Sequence, residues 1–235
     1  MDILKSETGS NHVQPEWLNA CQAIIFDLDG VLINSEPVHE FTLLKLSSEF
    51  GRPFTQQEIL SFKGFPEKTT AHRFKEIFPD LKATEEEIIE KRLELLKKNF
   101  HLVQIMDGAI QFLRRCGAYR LGLATSADRR IQELAFRTFA LDPFFEAVIT
   151  GNDVRKGKPD PEPYSLAANR LGVAPQVCLV IEDAVNGVLS GKAAGCRVAG
   201  LATSFDPDVL SKAGADMVAC NFASLEIQIF GHAGK

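Results

Sequence analysis

The sequence predicts an α/β protein: a parallel sheet covered on both faces by helices, with a small all-helical unit inserted just after the first strand. Three observations lead there. From Asp107-Gly108 onward, short apolar runs alternate with helix-patterned segments, as expected of strands joined by helical crossovers. A further apolar run, Ala23-Ile24-Ile25-Phe26, stands alone near the N-terminus and reads as a strand buried on both faces. Between them, residues 36 to 102 carry helical spacing and no strand candidate.

Taken in order, the strand at Ala23 runs into Asp27-Leu28-Asp29-Gly30 and then Val31-Leu32-Ile33. From Glu36 to Phe50 the apolar residues Val38, Phe41 and Leu44, with Leu43, Leu46 and Phe50, recur at helical spacing. Pro37 suits a first turn, and Gly51-Arg52-Pro53 ends the helix. Thr55 with Glu58 and Thr84 with Glu87 have the form of capping boxes, each opening a helix. Between them a helix is predicted from Pro66 to Ile77, and the last cap helix carries Ile89, Leu93, Leu96 and Phe100 on one stripe.

Beyond Gly108 the pattern predicts a helix to Cys116, a strand over Tyr119–Ala124, a helix over Ala127–Phe139 and a strand over Ala147–Thr150. A helix opening at Asp160-Pro161 and running to Leu171 follows, then a strand over Val177–Ile181. The helix Ala184–Ala194 stops at Gly195, and strands at Cys196–Leu201 and Met217–Ala219 flank a helix over Pro207–Ala213. The predicted architecture is a Rossmann-like core formed by residues 21–34 and 104–235, with a helical cap over 35–103. The cap would hinge near 33–36 and 102–108, beside the acidic end of the first strand.

Composition bounds the function. The chain has 235 residues, 45% hydrophobic and 24% charged, ordinary for a folded domain with a sizeable core. A net charge of −5 argues against nucleic acid as the main partner. The five cysteines (21, 116, 178, 196 and 220) are scattered without a Cys-x-x-Cys pair and read as reduced thiols of a cytoplasmic protein. No apolar run reaches membrane-spanning length, so no membrane association is expected, and residues 1–20 are read as a flexible N-terminal extension without a signal-peptide core. A monomer is expected.

In open parallel sheets, ligands sit beyond the carboxyl ends of the strands. Asp27 and Asp29 project together if the chain stays extended, although a turn at Gly30 can re-aim Asp29. Crowded carboxylates call for a cation or a shared proton; the bland reading is an acidic turn. Thr125-Ser126 ends the next strand, a phosphate-oxygen site or a plain helix cap. Lys158, between Gly157 and prolines, sits on a stiff loop and either reaches a phosphate or is a solvated loop lysine. Glu182-Asp183 ends another apolar strand, so Asp183 either completes a Mg²⁺ site of hard oxygens or caps the helix that follows.

Four strand ends carrying Asp-x-Asp, Thr, Lys and Glu-Asp in that order resemble the haloacid dehalogenase superfamily, in its β-phosphoglucomutase and phosphatase branch with a helical cap. The resemblance spans residues 22–220, with Asp27-Leu28-Asp29-Gly30-Val31 as the first motif, Thr125 the second, Lys158 the third and Glu182-Asp183 the fourth. It implies Asp27 as a nucleophile that forms an aspartyl-phosphate and Asp29 as general acid and then base. It also implies Mg²⁺ held by Asp27, Asp183 and the main-chain carbonyl of Asp29, with Glu182 in support. Thr125 and Lys158 would hold phosphoryl oxygens, with Ser126 beside them. The cap loop resembling Phe62-Lys63-Gly64-Phe65 would select the substrate through Lys63 and Gly64. His39 matches a cap-helix histidine of the branch; the bland alternative is a surface or core histidine.

The expected activity is phosphate release from a small phosphorylated metabolite, a sugar phosphate, with a sugar phosphomutase as the alternative. Dehalogenation is disfavoured by Asp29 and the Glu182-Asp183 pair, and a non-catalytic phosphate-binding role by the completeness of the motifs. Two positions depart from the branch: Asn34 replaces a common aspartate, and Glu67 stands where mutases carry an arginine for a second phosphate, leaving Arg73 or Lys68 as substitutes. A carboxylate at 67 would repel a bisphosphate.

Overall fold

A computed structural model describes residues 15–62 and 64–231. Six parallel strands form the sheet: β1 (Ala23–Phe26), β4 (Arg120–Ala124), β5 (Ala147–Ile149), β6 (Cys178–Glu182), β7 (Arg197–Leu201) and β8 (Met217–Ala219), in the order β5-β4-β1-β6-β7-β8. Two further strands among the described residues, β2 (Ile33–Asn34) and β3 (Gln104–Ile105), pair antiparallel with each other. They are the two crossings between core and cap, and each is too short for a period to be read from sequence.

Strand β1 is central, and its neighbours explain its all-apolar composition. Alternate residues go to opposite faces. Ile24 and Phe26 join one core with Leu121, Leu123, Leu179 and Ile181. Ala23 and Ile25 join the other with Ala124, Cys178 and Val180. The first face is covered by α5 (Ala109–Arg115), α6 (Arg129–Phe139) and α10 (Phe222–Phe230). The second is covered by α7 (Glu162–Arg170), α8 (Val185–Ala193) and α9 (Pro207–Lys212). Helix α10 follows the last predicted strand and is an addition to the sequence reading; Asn221 and Ser224 close a capping box at its start.

The cap consists of α1 (Glu36–Glu49), α2 (Gln56–Leu60), α3 (Glu67–Ile77) and α4 (Glu85–Asn99). Both predicted capping boxes form, Thr55 with Glu58 and Thr84 with Glu87. The cap has an apolar centre of its own, in which Phe74 is fully buried and rings 54, 62 and 78 lie within 6.3 Å of it.

One local expectation is corrected. Phe41 is 45% exposed, because α1 turns Val38, Leu43 and Leu46 inward instead. On α4 the expected stripe forms, with Leu93, Leu96 and Phe100 in the sheet's core and Ile89 packed against it, while Ile88 adds a contact with the cap centre. The helix thus buries an apolar residue, Ile88, outside that stripe. It also buries a charged residue, Arg92.

The expectation of a flexible extension over 1–20 fails for its last residues. Glu16–Ala20 forms a 3₁₀ turn with Leu18 buried in the core and Trp17 packed against it. Residues 1–14 lie outside the described residues. The described cysteines form no disulfide; Cys116, Cys178 and Cys196 are buried, Cys21 half-buried and Cys220 exposed. Among the described residues, no helix is long and apolar enough to cross a membrane.

Candidate active site

The sheet register builds the site. Phe26 is level with Leu123 of β4 and with Ile181 of β6. The residues at and just beyond these strand ends therefore share one rim: Asp27, Thr125, Glu182 and Asp183. Lys158 reaches the same rim from the loop before α7. Its Nζ lies 2.7 Å from Asp27 Oδ1 and 2.6 Å from Glu182 Oε1. All five side chains are buried.

The turn after β1 separates the two aspartates. Leu32 and Ile33 donate to the carbonyl of Leu28, and Gly30 donates to Ile33. Asp29 is thereby re-aimed toward the cap. Its Oδ1 accepts from Ser35 Oγ at 2.5 Å and meets His39 Nε2 at 3.4 Å. Arg92 Nη2 lies 2.8 Å from His39 Nδ1, and a guanidinium only donates, so the imidazole proton sits on Nε2 and faces Asp29. Arg92 also pairs with Glu67.

Asp27, Asp183 and Asp29 differ in electrostatic state. Burial pushes Asp27 up to about 7, with Lys158 pulling back and Glu182 and Asp29 pushing further. Burial, Glu182 and Asp27 drive Asp183 well above the usual carboxylate range. For Asp29 burial also works upward, but the His39 contact and the Ser35 hydrogen bond outweigh it and hold the carboxyl below its ordinary value. Burial pulls Lys158 down, yet Asp27 and Glu182 raise it above a normal lysine.

Ligand-capable oxygens of Asp27, Glu182 and Asp183 lie within 4.8 Å of one another. Lysine is one positive charge against three carboxylates, so the cluster has room for a cation with hard oxygen ligands, as Mg²⁺ is. A Cβ on Gly30 would fall 1.9 Å from Asp183 Oδ2, and the residue has φ +76°, so the close approach of this loop to Asp183 requires glycine. The residues present fit the ion.

Glu182 is already occupied. Oε1 accepts from Lys158 and from Tyr164 at 2.6 Å, and Oε2 accepts the backbone N–H groups of Asp183 and Ala184 at 3.1 Å. Four donors fill a carboxylate. Glu182 thus anchors Lys158 and the start of α8, leaving Asp27 and Asp183 as the available carboxylate ligands. Asp183 does not cap α8, whose N-cap position is Ala184.

The remaining predicted residues fall as follows. Thr125 is buried and accepts from the Ala127 N–H at 3.0 Å, while Ser126 lines the cavity between cap and core. His39 and Gly64 line it from the cap side. Lys63 lies outside the described residues. Asn34 is exposed and pairs with Gln104 in the crossing strands. Arg73 lies 5.7 Å and 5.5 Å from the ring centres of Phe62 and Phe65, and Lys68 is exposed.

Four contributors escaped the sequence reading: Arg92, Ser35, Tyr164, and Ser204, which hydrogen-bonds Asp183. Ser35 stands beside the Asn34 departure. Arg92 carried a signal too, a basic residue next to Leu93 on the apolar face of α4.

The chain is similar to known proteins along most of its length. The family model of haloacid dehalogenase-like hydrolases matches residues 24–201. The validoxylamine A 7′-phosphate phosphatase of Streptomyces hygroscopicus subsp. limoneus is 34% identical over 191 residues, 80% of this chain and 89% of that protein. A phosphorylated carbohydrates phosphatase of Thermotoga maritima is 33% identical over 204 residues, 83% of this chain and 92% of that one. In fold, the β-phosphoglucomutase of Clostridium difficile superposes with a TM-score of 0.77 at 23% identity, covering 87% of this chain and 93% of that chain. With its acidic strand ends gathered on one rim under a helical cap, the chain belongs to the haloacid dehalogenase-like hydrolases.

Proposed function

We propose that this protein is a Mg²⁺-dependent phosphatase that releases phosphate from a small phosphorylated metabolite, a sugar phosphate, through an aspartyl-phosphate on Asp27. The observation that carries this reading is the burial of Asp27, Lys158, Glu182 and Asp183 at one sheet rim, drawn from three separate stretches of chain. Relatives whose names specify phosphatases of carbohydrate-type phosphates support it.

In the first displacement an Asp27 oxygen attacks phosphorus, the ester P–O bond breaks, and the leaving oxygen takes a proton from Asp29. In the second, water attacks the phosphorus of the acyl phosphate, gives its proton to Asp29, and frees Asp27. Lys158 grips Asp27 Oδ1 and so fixes the direction of the nucleophile. Thr125, Ser126 and Lys158 are the groups suited to hold phosphoryl oxygens. Asp29 rests in the ionised form suited to activating water; an anionic phosphoryl group beside it favours the protonated form needed in the first step. Asp27 and Asp183, with the main-chain carbonyl of Asp29, would hold Mg²⁺, which would offset the repulsion between carboxylate and phosphate. Cap residues His39, Gly64 and Arg92 line the cavity together with these groups, as suits a lid that limits access to the reaction.

The test is phosphate release from a panel of sugar phosphates and p-nitrophenyl phosphate, with Mg²⁺ and with EDTA. Metal-dependent release, with a hydroxylamine-sensitive phosphoprotein trapped by acid quench, is expected. A folded, Mg²⁺-loaded sample that turns over none of them refutes the reading, and efficient conversion of glucose 1-phosphate to glucose 6-phosphate replaces it with the mutase.

A further inference from the structure

We propose that Glu67 and Arg92 read a hydroxyl of the leaving group, so that the enzyme accepts monophosphates of uncharged polyols and refuses esters bearing a second phosphate or a carboxylate. The inference rests on the phosphatase reading above and specifies its substrate class.

The two side chains come from different cap helices, Glu67 at the first turn of α3 and Arg92 in the middle of α4, and both line the cavity that holds Asp27 and Asp29. They are paired with each other, and Arg92 is tied further to His39. Only 14% of the Glu67 side chain and 7% of the Arg92 side chain is exposed. Yet each retains one buried atom without a partner, Glu67 Oε2 and Arg92 Nε. Buried polar atoms left unpaired are costly, and each such atom calls for an explanation.

One of these atoms is an acceptor and the other a donor. A hydroxyl satisfies both at once, donating to Glu67 Oε2 and accepting from Arg92 Nε. Both atoms are closed to water in this arrangement, so a hydroxyl can reach them only if the surrounding side chains shift as the substrate enters.

A phosphate or ionised carboxylate has no proton to donate and meets the Glu67 carboxylate with a like charge. The rest of the cap wall does not relieve it. Glu36 and Glu40 of α1 line the same cavity, and among the described lining residues Arg92 is the one fixed cation from the cap, already engaged by Glu67 and His39. Leu43, Ile59, Phe62 and Phe65 also line the cavity and suit the carbon faces of a polyol.

The experiment compares kcat/KM, in Mg²⁺, for glycerol 1-phosphate, glucose 6-phosphate, fructose 1,6-bisphosphate, phosphoglycolate and p-nitrophenyl phosphate. The polyol monophosphates are expected to exceed the bisphosphate and phosphoglycolate by about tenfold or more. Glu67→Gln keeps an oxygen for Arg92 but removes the charge, and it is expected to narrow that ratio about tenfold, in KM more than in kcat. Equal or better use of the two doubly anionic esters by the wild type overturns the inference, as does an unchanged ratio in folded Glu67→Gln. If that variant does not fold, the wild-type ratios decide alone. Failure to hydrolyse any compound, p-nitrophenyl phosphate included, overturns the phosphatase reading itself and the inference with it.

Discussion

Replacing Asp27 by asparagine should make the metal-free protein more stable while removing phosphate release. The isostere keeps the shape of the site but removes one of three crowded buried carboxylates, and Lys158 keeps its second partner, Glu182. Burial moves Asp27 from the ordinary 3.8 to about 7. A raised acid binds its proton more tightly in the folded state, so its stabilising contribution is whole below pH 3.8 and is lost as pH rises to about 7. At about 1.4 kcal/mol per tenfold change in proton affinity, the full span is on the order of 4 kcal/mol. Water reaching the cleft and relaxation of the site reduce this, leaving a gain of about 1–3 kcal/mol for Asp27→Asn above pH 7. For a chain of this size that raises Tm by roughly 2–12 °C. The assay is thermal unfolding of both proteins in EDTA from pH 4 to pH 8. The gain should be absent near pH 4, grow through pH 5 to 7 and level off above. Saturating Mg²⁺ should stabilise the wild type more than the variant, since a cation then offsets the charge that the variant lacks. A variant less stable than wild type at pH 8 in EDTA, or a gain that ignores pH, would refute the picture of an overcharged, cation-seeking rim.

Three further outcomes follow from other parts of the molecule. Gly30→Ala sets a methyl group 1.9 Å from Asp183 Oδ2, which must move, so phosphate release should fall by about a hundredfold with the far-UV circular dichroism preserved. Phe74→Ala empties the centre of the cap's aromatic cluster and should cost about 3–5 kcal/mol in the stability of that unit, read by hydrogen exchange of α1 to α4. Burial pushes Asp153 up, but the Thr150 hydroxyl and amide, Arg170 and Arg129 outweigh it and hold the carboxyl down to about 2. That stabilisation is present above the unfolded value near pH 4 and lost as pH falls toward about 2. Asp153→Asn should therefore cost on the order of 2 kcal/mol at pH 7, in urea unfolding, and progressively less from pH 4 downward.

Much of the architecture is legible in the amino-acid order because local rules and burial agree. Ala23–Phe26 is apolar at every position since both faces of a central parallel strand are covered. Capping boxes at Thr55 and Thr84 announce their helices because the bonds involved span three residues. Phe41 misleads because its spacing fits the helix as well as Leu43 does, and only the neighbouring elements choose which face is covered. On helix α4 the stripe through Leu93 and Leu96 is legible, but the burial of Ile88 against the cap depends on neighbours in the same way.

The sequence by itself determined the acidic, threonine, lysine and acidic strand ends and their order, since each sits at the close of an apolar run. It could not determine that Glu182 spends all its acceptors on Lys158, Tyr164 and two backbone amides, or that Asp29 turns away from Asp27 toward Ser35 and His39. Those choices belong to the tertiary structure. They depend on contacts such as that between Lys158 and Asp27, 131 positions apart, and on a buried arginine whose partners lie 25 and 53 positions away. Periodicity reports how a residue faces its own helix or strand; only the packed chain brings distant charges close enough, and dry enough, to set one another's state.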